Sequence, residues 1–300
     1  MHSITVMMST YNGEKYLREQ IESILNQTGV KVNLVARDDG STDSTQKILQ
    51  EYAAEGKLKW YSGKNLKAAY SFLNLLKNVS KDEFYAFSDQ DDVWDEKKLL
   101  AGIDKLKEYP EEAIVLYTCS VRVVSSDLSE IGSLDSSVPV TTFMDGMIRN
   151  NSQGCTMVFG NALRNLLIKY NGKNLFMHDD LAVKVCLAVG GTIYRDSEKY
   201  INYRQHGNNV IGTREPFMHS FKRRAKSLLN QSCERSKELQ DIVETYYDLI
   251  PAENRDVMEK IAYYKSKRFG RIGILFDRSI ASRDSKTTRH FKFGVLMGFF

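Results

Sequence analysis

Three carboxylates follow an apolar strand candidate in the N-terminal half of the chain. Residues 84–87 are apolar or aromatic, and Asp89, Asp91 and Asp92 come directly after them. Alternate residues at the end of a strand can point to the same side. Two acids on one side attract a hard divalent cation, and Mg²⁺ or Mn²⁺ held by one or two carboxylates keeps open positions for phosphate oxygens. We therefore expect a metal site here, although a single Asp would be explained as a helix cap.

A second acidic turn, residues 38–43, follows the strand candidate 32–36. Its Ser, Thr and Asp residues are common helix caps, but one Asp is sufficient for capping. A second carboxylate at this edge could accept the imide N–H of a pyrimidine base. A polar turn also follows the first strand candidate, and its residues are Thr10, Tyr11, Asn12 and Gly13. Backbone groups of that turn can reach a base and Tyr11 can stack on one, yet either turn alone equally suits an ordinary connection.

Two polar groups occur in the second half of the chain. The first consists of His178, Asp179 and Asp180. It precedes a helical pattern, where the helix dipole favours acids, but a carboxylate near a bound cation can also act as a general base. The second contains Arg204 and His206 with two asparagines in a turn after a strand. For that imidazole, a ligand role and a structural role are both open.

Strands alternate with helices over the first 109 residues, which indicates an α/β fold. The strand candidates are residues 4–8, 32–36, 58–61 and 84–87, and helical patterns follow each, the last over residues 94–109. This alternation favours βαβ units and a parallel sheet. Ligands bind at the carboxyl edge of such sheets, so the polar clusters after the strands should converge. Further short strands are expected at 114–124, 157–159, 192–194 and 200–203, with no clear element at 125–138.

Composition and length limit the possibilities. The 300 residues are 42% hydrophobic and 27% charged, which excludes a disordered, collagen-like or coiled-coil chain. The four cysteines are scattered, so they form neither a C-x-x-C zinc motif nor a disulfide framework. We predict two parts, a catalytic α/β domain over residues 1–213 and a helical, basic extension over residues 214–300.

The last segment of the chain is strongly basic. Residues 260–300 contain 10 Lys and Arg but 2 Asp and Glu. Such a tail can meet an anionic surface, and its apolar residues could insert shallowly into a membrane: Phe291, Phe293, Leu296, Met297, Phe299 and Phe300. An ordinary packed helix or a dimer contact explains the tail equally well, and it contains no recognisable nucleic-acid module. No signal peptide or stretch of about 18 apolar residues is evident, so we expect a cytoplasmic protein.

The ordered set of motifs resembles the family 2 glycosyltransferases with the GT-A fold. The matching segments lie between residues 4 and 212: Met8 to Gly13, Arg37 to Asp43, Phe87 to Trp94, Gly154 to Met157, Met177 to Asp179 and Tyr203 to Asn209. Within that family the chain is most similar to bacterial rhamnosyltransferases of cell-wall or capsular polysaccharide synthesis. The resemblance implies a Rossmann-like, mainly parallel sheet flanked by helices. It also implies inverting transfer of a sugar, with rhamnose favoured, from a dTDP- or UDP-sugar to a glycan or lipid-linked glycan.

The resemblance also implies roles for individual residues. The nucleotide-sugar would be bound by Thr10, Tyr11, Asn12, Asp39, Asn65 and Asp89. Asp91 would ligate Mg²⁺ or Mn²⁺ on the diphosphate, with His206 as a further metal or phosphate contact. Asp179 would deprotonate the acceptor hydroxyl. The acceptor side would include Gly154, Asp180 and Arg204. By analogy with membrane-associated relatives, the tail would meet the anionic inner face of the bacterial membrane.

The sequence differs from the family pattern at two places, and two other functions remain as alternatives. Asp180 and Leu181 follow the His-Asp pair where such rhamnosyltransferases often have aromatic residues, so Asp179 and Asp180 both qualify as the base. Cys155 replaces a more usual Gly, which would narrow the acceptor side. Residues 89–93 also fit the D-x-D-x-V pattern of a haloacid-dehalogenase-type phosphatase, but that motif should follow the first strand of its fold. A non-catalytic nucleotide-sugar binding protein would lack a base or a metal ligand.

Overall fold

The computed structural model describes residues 1–132, 138–206 and 235–300. Among these residues, nine strands form one sheet in the order β3-β2-β1-β4-β8-β6-β9-β5, with β7 paired to β6. The strands are β1 His2–Thr10, β2 Val30–Asp38, β3 Lys59–Ser62, β4 Phe84–Ser88, β5 Val93–Trp94, β6 Val115–Val124, β7 Glu130–Gly132, β8 Met157–Gly160 and β9 Thr192–Arg204.

Helices cover both faces of this sheet. The first seven are α1 Leu17–Leu25, α2 Thr45–Ala54, α3 Lys67–Asn78, α4 Lys98–Leu106, α5 Phe143–Ile148, α6 Asn161–Leu167 and α7 His178–Ala188, and a short 3₁₀ turn spans Gly154–Thr156. The others are α8, helical over residues 235–246, and α9 Ala252–Ala262, α10 Gly270–Phe276 and α11 Ser285–Met297. The prediction that the segment after residue 214 is helical is therefore confirmed for residues 235–300. Residues 207–234 lie outside the described residues. They include the proposed domain boundary at 213/214 and the last three residues of the motif that begins at Tyr203.

The central strand β1 is buried on both sides, as expected for a parallel sheet. Val6 and Met8 contact the core layer formed with α1, α2 and α4, whereas Met7 contacts the layer formed with α3 and α7. Strands β1 to β4 are parallel. The sheet becomes mixed because β8 runs antiparallel to both β4 and β6.

Three local predictions were wrong. Strand β7, Glu130–Gly132, lies within residues 125–138, where no element was expected; its exposed residues lack the apolar pattern that marks a strand. The helix expected over residues 94–109 begins at Lys98, because Trp94 belongs to β5 and pairs with Ile201. The two short strands expected at 192–194 and 200–203 are one continuous strand, β9, which pairs with β6 through register shifts. Sequence patterns missed its continuity because the polar middle of β9 has no apolar alternation.

The C-terminal helices share a core with the sheet. Leu239 and Ile242 of α8 are fully buried in the same cluster as Phe87 of β4. In the tail, Phe291 and Phe300 are also buried, so the expectation that these two rings could insert into a membrane was wrong. Within the described ranges, no helix is long and apolar enough to span a bilayer.

Candidate active site

The predicted polar clusters converge at the carboxyl edge of the sheet. Thr10 at the end of β1 pairs in register with Asp38 at the end of β2, which pairs with Ser62 at the end of β3. Ser88 ends β4 on the other side of β1. The strand order reverses between β1 and β4, and open α/β sheets bind ligands at such a point.

Hydrogen bonds join the first two loops. The Asn12 backbone N–H donates to Ser41 Oγ at 2.9 Å, and the Thr42 N–H donates to Asn12 Oδ1 at 2.8 Å. Asn12 itself has a φ of 49°, in the left-handed region. Its side chain therefore holds together the loops after β1 and β2, which are predicted to bind the nucleotide base. Thr10 does the same, since its buried hydroxyl donates to Asp38 Oδ1 at 3.2 Å.

The neighbouring acids Asp38 and Asp39 have different environments. Asp38 is fully buried and accepts hydrogen bonds from the N–H groups of Gly40 and Ser41, at 3.2 and 3.0 Å. It is therefore a structural acid that shapes the loop. Asp39 is buried against Arg37, which forms an ion pair with it, and both of its oxygens lie 2.9 Å from the Leu66 nitrogen.

Two other residues predicted to bind nucleotide lie at the surface of this edge. The Tyr11 side chain is 48% exposed, which leaves its ring accessible for stacking. Asn65 is exposed, and its side-chain oxygen accepts the Lys67 N–H at 3.0 Å. The backbone nitrogen of Asn65 would lie 3.8 Å from a Cβ added to Gly40, so the loop after β3 sits directly against the acidic turn.

The carboxylates after β4 form an electrostatically strained group, in which Asp92 is buried and Asp89 and Asp91 are partly buried. Burial and the charge of Asp91 raise the pKa of Asp89 to about 7. Burial and the charges of Asp91 and Asp89 raise the pKa of Asp92 well above its usual range. Asp92 Oδ2 is buried without a hydrogen-bond partner among the described residues. This excess of negative charge and the unpaired oxygen fit a hard divalent cation.

The ligand atoms available for a cation fall into two sets. Asp91 Oδ2 lies 2.8 Å from His206 Nε2, so these two predicted ligands are adjacent. Asp89, Asp92 and Cys155 offer atoms that all lie within 4.8 Å of one another. The Cys155 thiol is a soft ligand, poorly suited to Mg²⁺, and burial raises its pKa. The oxygen and imidazole donors therefore fit Mg²⁺ or Mn²⁺ better than the thiol does.

The buried side chain of Arg204 stabilises this carboxylate loop, and a second buried cation, Lys98, lies on the Trp94 ring. The Arg204 backbone N–H donates to Asp92 Oδ1 at 3.2 Å, and its Nε donates to the Asp91 carbonyl at 2.8 Å. The Arg204 side chain also pairs with Glu19 and is 1% exposed. Lys98 Nζ lies 3.3 Å from the centre of the Trp94 ring, and burial lowers the pKa of Lys98 to about 8. Arg204 therefore fixes the conformation of the loop that carries Asp91 and Asp92.

The start of α7 places the two candidate bases in different environments. Asp179 accepts the backbone N–H of Asp180 at 2.7 Å and a backbone hydrogen bond from Gly154. Burial, Asp180 and then Asp89 raise the pKa of Asp179 to about 7. Gly154, which bonds Asp179, directly precedes Cys155, and the Cys155 thiol lies within 4.8 Å of Asp89 and Asp92, so Asp179 is near the carboxylates after β4. Asp180 is instead paired with Lys184 at 2.6 Å. The Lys184 ammonium holds the pKa of Asp180 below its usual value despite burial.

His178 packs into the wall behind the two acids. Its ring stacks on Phe72, with centroids 3.8 Å apart, and burial lowers the pKa of His178 to about 3. A Cβ on Gly154 would lie 2.3 Å from His178 Nε2. Gly154 is thus required for the close approach of its loop to α7.

Sequence reasoning missed several residues that organise the site. They are the buried or partly buried polar residues Gln90, Arg37, Lys98 and Glu238. Gln90 and Glu238 have partners distant in the chain, Tyr11 and Lys184, whereas Arg37 and Lys98 contact the nearby Asp39 and Trp94. Gln90 lies between two recognised acids, and that position was the available signal. The pairing of Glu238 with Lys184 is not revealed by any local pattern.

The fold is of the GT-A type, with an acidic ligand-binding edge at the ends of its parallel strands. The family model for glycosyl transferase family 2 matches residues 5–164, and the chain belongs to this family. The D-x-D-x-V pattern follows the fourth strand, which sets aside the phosphatase reading. The chain is therefore a glycosyltransferase.

Known proteins agree with this assignment. The chain is 29% identical over 240 residues to the dTDP-rhamnosyl transferase RfbG of Shigella flexneri, covering 72% of this chain and 77% of that protein. It is 33% identical over 111 residues to the putative glycosyltransferase EpsE of Bacillus subtilis, covering 35% and 40%. The structure of S. aureus TarS residues 1–349 with UDP-GlcNAc is similar in fold, with a TM-score of 0.61 and 17% identity, over 99% of this chain and 80% of that one.

Proposed function

We propose that the chain transfers rhamnose from a dTDP- or UDP-sugar to a hydroxyl of a growing cell-surface glycan, with inversion at the anomeric carbon. The observation that carries this proposal is the convergence of Asp39, Asp89 and Asp179 at one sheet edge. The 29% identity to a dTDP-rhamnosyl transferase supports rhamnose as the sugar. The acceptor is a glycan or a lipid-linked glycan.

In this proposal the donor lies across the loops after β1, β2 and β4. Asp39 accepts the base imide N–H, Tyr11 stacks on the base, and Asp89 contacts the ribose. Asp39 is held for this role by Arg37 on one side. Asn65 closes the pocket from the loop after β3. Because dTDP and UDP present the same imide edge, these contacts accept either base.

Asp91 and His206 would hold Mg²⁺ or Mn²⁺, and the bound cation would stabilise the negative charge that develops on the departing diphosphate. Their proximity, 2.8 Å between Oδ2 and Nε2, supports a shared ligand. Arg204 keeps the Asp91 backbone in place through its bond to the carbonyl oxygen.

Asp179 is the proposed base. Its pKa of about 7 suits a group that must accept a proton near neutral pH. Asp180 is a poor alternative because its carboxylate is ion-paired with Lys184, which lowers its pKa and makes it a weaker base. In this proposal the base Asp179 is separate from the donor-binding residues, and such a base is what a non-catalytic nucleotide-sugar binding protein would lack.

We also propose that α10 and α11 dock the enzyme on the anionic inner face of the bacterial membrane. The two helices are antiparallel neighbours, since Arg271 Nη1 donates to the Leu296 carbonyl at 3.2 Å and Lys292 Nζ to that of Leu275 at 3.0 Å. Ile274 faces the shared core. Large apolar residues on the outward faces are exposed: Phe269 66%, Ile272 53%, Phe276 81%, Phe293 62%, Leu296 48% and Met297 48%.

The charges around this apolar surface favour a membrane over a second protein copy. Contiguous exposed apolar surface marks an interaction site. Lys267, Arg268, Lys286 and Arg289 are exposed around it, and each cation near an anionic membrane contributes at most about 1 kcal/mol. Arg283 ties the pair of helices to the body, since its Nε donates to Asp145 Oδ2 at 2.7 Å.

The transfer proposal is tested by nucleotide release. The full chain is incubated with dTDP-rhamnose and, separately, with UDP-GlcNAc, each in Mn²⁺ and in EDTA, with a lipid-linked glycan fraction as acceptor. We expect acceptor-dependent release of dTDP in Mn²⁺. Release from neither donor, or equal release in EDTA, contradicts the proposed donor or the proposed metal dependence.

A further inference from the structure

Helix α8 contacts the segment that leads into α7. Glu238 accepts the backbone N–H of Phe176 at 2.9 Å. One turn later, Asp241 Oδ2 accepts the backbone N–H of Asn174 at 2.8 Å and its side-chain amide at 3.0 Å. Two carboxylates of α8 therefore hold the backbone immediately before the helix that carries the proposed base.

A buried ion triad extends this contact into α7. Lys184 Nζ donates to Asp180 Oδ2 at 2.6 Å and also pairs with Glu238. The side chains of all three residues are at most 3% exposed. Buried charges without a partner are strongly unfavourable, so this pairing gives α7 and α8 one favoured arrangement.

Asp180 connects the triad to the proposed base, Asp179. Asp180 directly follows Asp179, and its backbone N–H donates to Asp179 Oδ1 at 2.7 Å. The side chain of Asp180 is held by Lys184 at the same time. The residue that orients the base carboxylate is thus itself oriented by the C-terminal part of the chain.

We propose that Glu238 and Lys184 are positioning residues for Asp179, so that helix α8 is a working part of the catalytic centre. This inference rests on the proposed function in one respect, the role of Asp179 as the base. The hydrogen bonds at residues 174, 176 and 180 set the direction of the first turn of α7. Small errors in the placement of a reacting group cost about 10²-fold in rate.

The test uses the full chain with the substitution Glu238→Gln. A glutamine offers one oxygen to two donors, so either the Phe176 N–H or Lys184 loses its acceptor. Glu244→Gln is the matched control, because Glu244 is an exposed acid on the same helix. Nucleotide release is measured with the donor that the wild type uses, and hydrogen exchange is measured by mass spectrometry for residues 174–182 and 4–13.

We expect Glu238→Gln to lower kcat about 10²-fold while the KM for the donor stays within about twofold. Exchange should accelerate at residues 174–182 and stay unchanged at residues 4–13. Lys184→Arg, which keeps the cation, should retain more activity than Lys184→Met. The control should match the wild type in every measurement.

Three results would overturn the inference. One is a kcat for Glu238→Gln equal to that of Glu244→Gln with unchanged exchange. Another is a parallel loss of kcat and nucleotide binding, which indicates general destabilisation. The third applies if the wild type releases nucleotide from neither donor: the proposed function then fails, and unchanged exchange at residues 174–182 in Glu238→Gln overturns the positioning role independently.

Discussion

The side-chain amide of Gln90 forms two hydrogen bonds with the backbone of Tyr11. The Tyr11 N–H donates to Gln90 Oε1 at 2.9 Å, and Gln90 Nε2 donates to the Tyr11 carbonyl at 3.0 Å. A Cβ on Gly13 would lie 2.2 Å from Gln90 Oε1, so the glycine makes room for this amide. These contacts therefore join the loop after β1, which is predicted to bind the nucleotide base, to the loop after β4 that carries the carboxylates.

Gln90→Met should weaken nucleotide binding, because it removes both hydrogen bonds while keeping the side-chain size. Each such bond contributes about 1 kcal/mol, so the loss of two bonds should raise the Kd for dTDP or UDP in Mn²⁺ by up to about thirtyfold, measured by calorimetry. Gln50→Met, at an exposed position of α2, is the control. An unchanged Kd in Gln90→Met would show that the two loops bind nucleotide independently.

The site was predictable where local patterns carry the information. The strands β1 to β4 and the turns after them follow from apolar runs that end in polar clusters, and their convergence follows from parallel pairing. The Lys184–Glu238 pair joins residues 54 positions apart, so no periodicity reveals it. The start of α4 was misplaced because Trp94 pairs with Ile201 of a distant strand, a tertiary contact that overrides helical propensity.

The pH dependence of turnover should distinguish Asp179 from Asp180. A base works when ionised, so kcat should rise with pH through the Asp179 pKa of about 7. Asp179→Asn should abolish transfer but keep nucleotide binding. Asp180→Asn removes a neighbouring negative charge that raises the pKa of Asp179. The rise of kcat with pH should therefore occur at a lower pH in this variant. Full activity in Asp179→Asn would transfer the role to Asp180.

Asp89→Asn should stabilise the folded protein in EDTA. The folded-state pKa of Asp89, about 7, lies above its ordinary value of 3.8, so ionisation costs stability as pH rises from about 4 through about 7. At pH 8 we expect the melting temperature of Asp89→Asn to exceed that of the wild type by a few degrees. Asp104→Asn, at an exposed site, should not change it. A lower melting temperature in Asp89→Asn would mean that this acid is not electrostatically strained.

Removal of the apolar surface on α10 and α11 should abolish membrane binding. The triple substitution Phe269→Ser, Phe276→Ser and Phe293→Ser should reduce co-sedimentation with phosphatidylglycerol vesicles at least about tenfold, since each exposed ring contributes over 1 kcal/mol on insertion. Leu128→Ser with Ile131→Ser changes exposed apolar residues elsewhere and should have no effect. Binding should weaken with salt and be weak to phosphatidylcholine. A dimer that the triple substitution disrupts, without vesicle binding by the wild type, would assign the surface to a second copy.

The most direct test of the donor site is thermal stabilisation by dTDP and by UDP, each with Mn²⁺ and with EDTA, in the wild type and in Asp91→Asn. A ligand at 100 times its Kd adds about 2.7 kcal/mol of stability. We expect a clear shift for the wild type that needs nucleotide and Mn²⁺ together and is lost in Asp91→Asn. No shift with either nucleotide at millimolar concentration, or an equal shift in EDTA and in Asp91→Asn, would contradict this expectation.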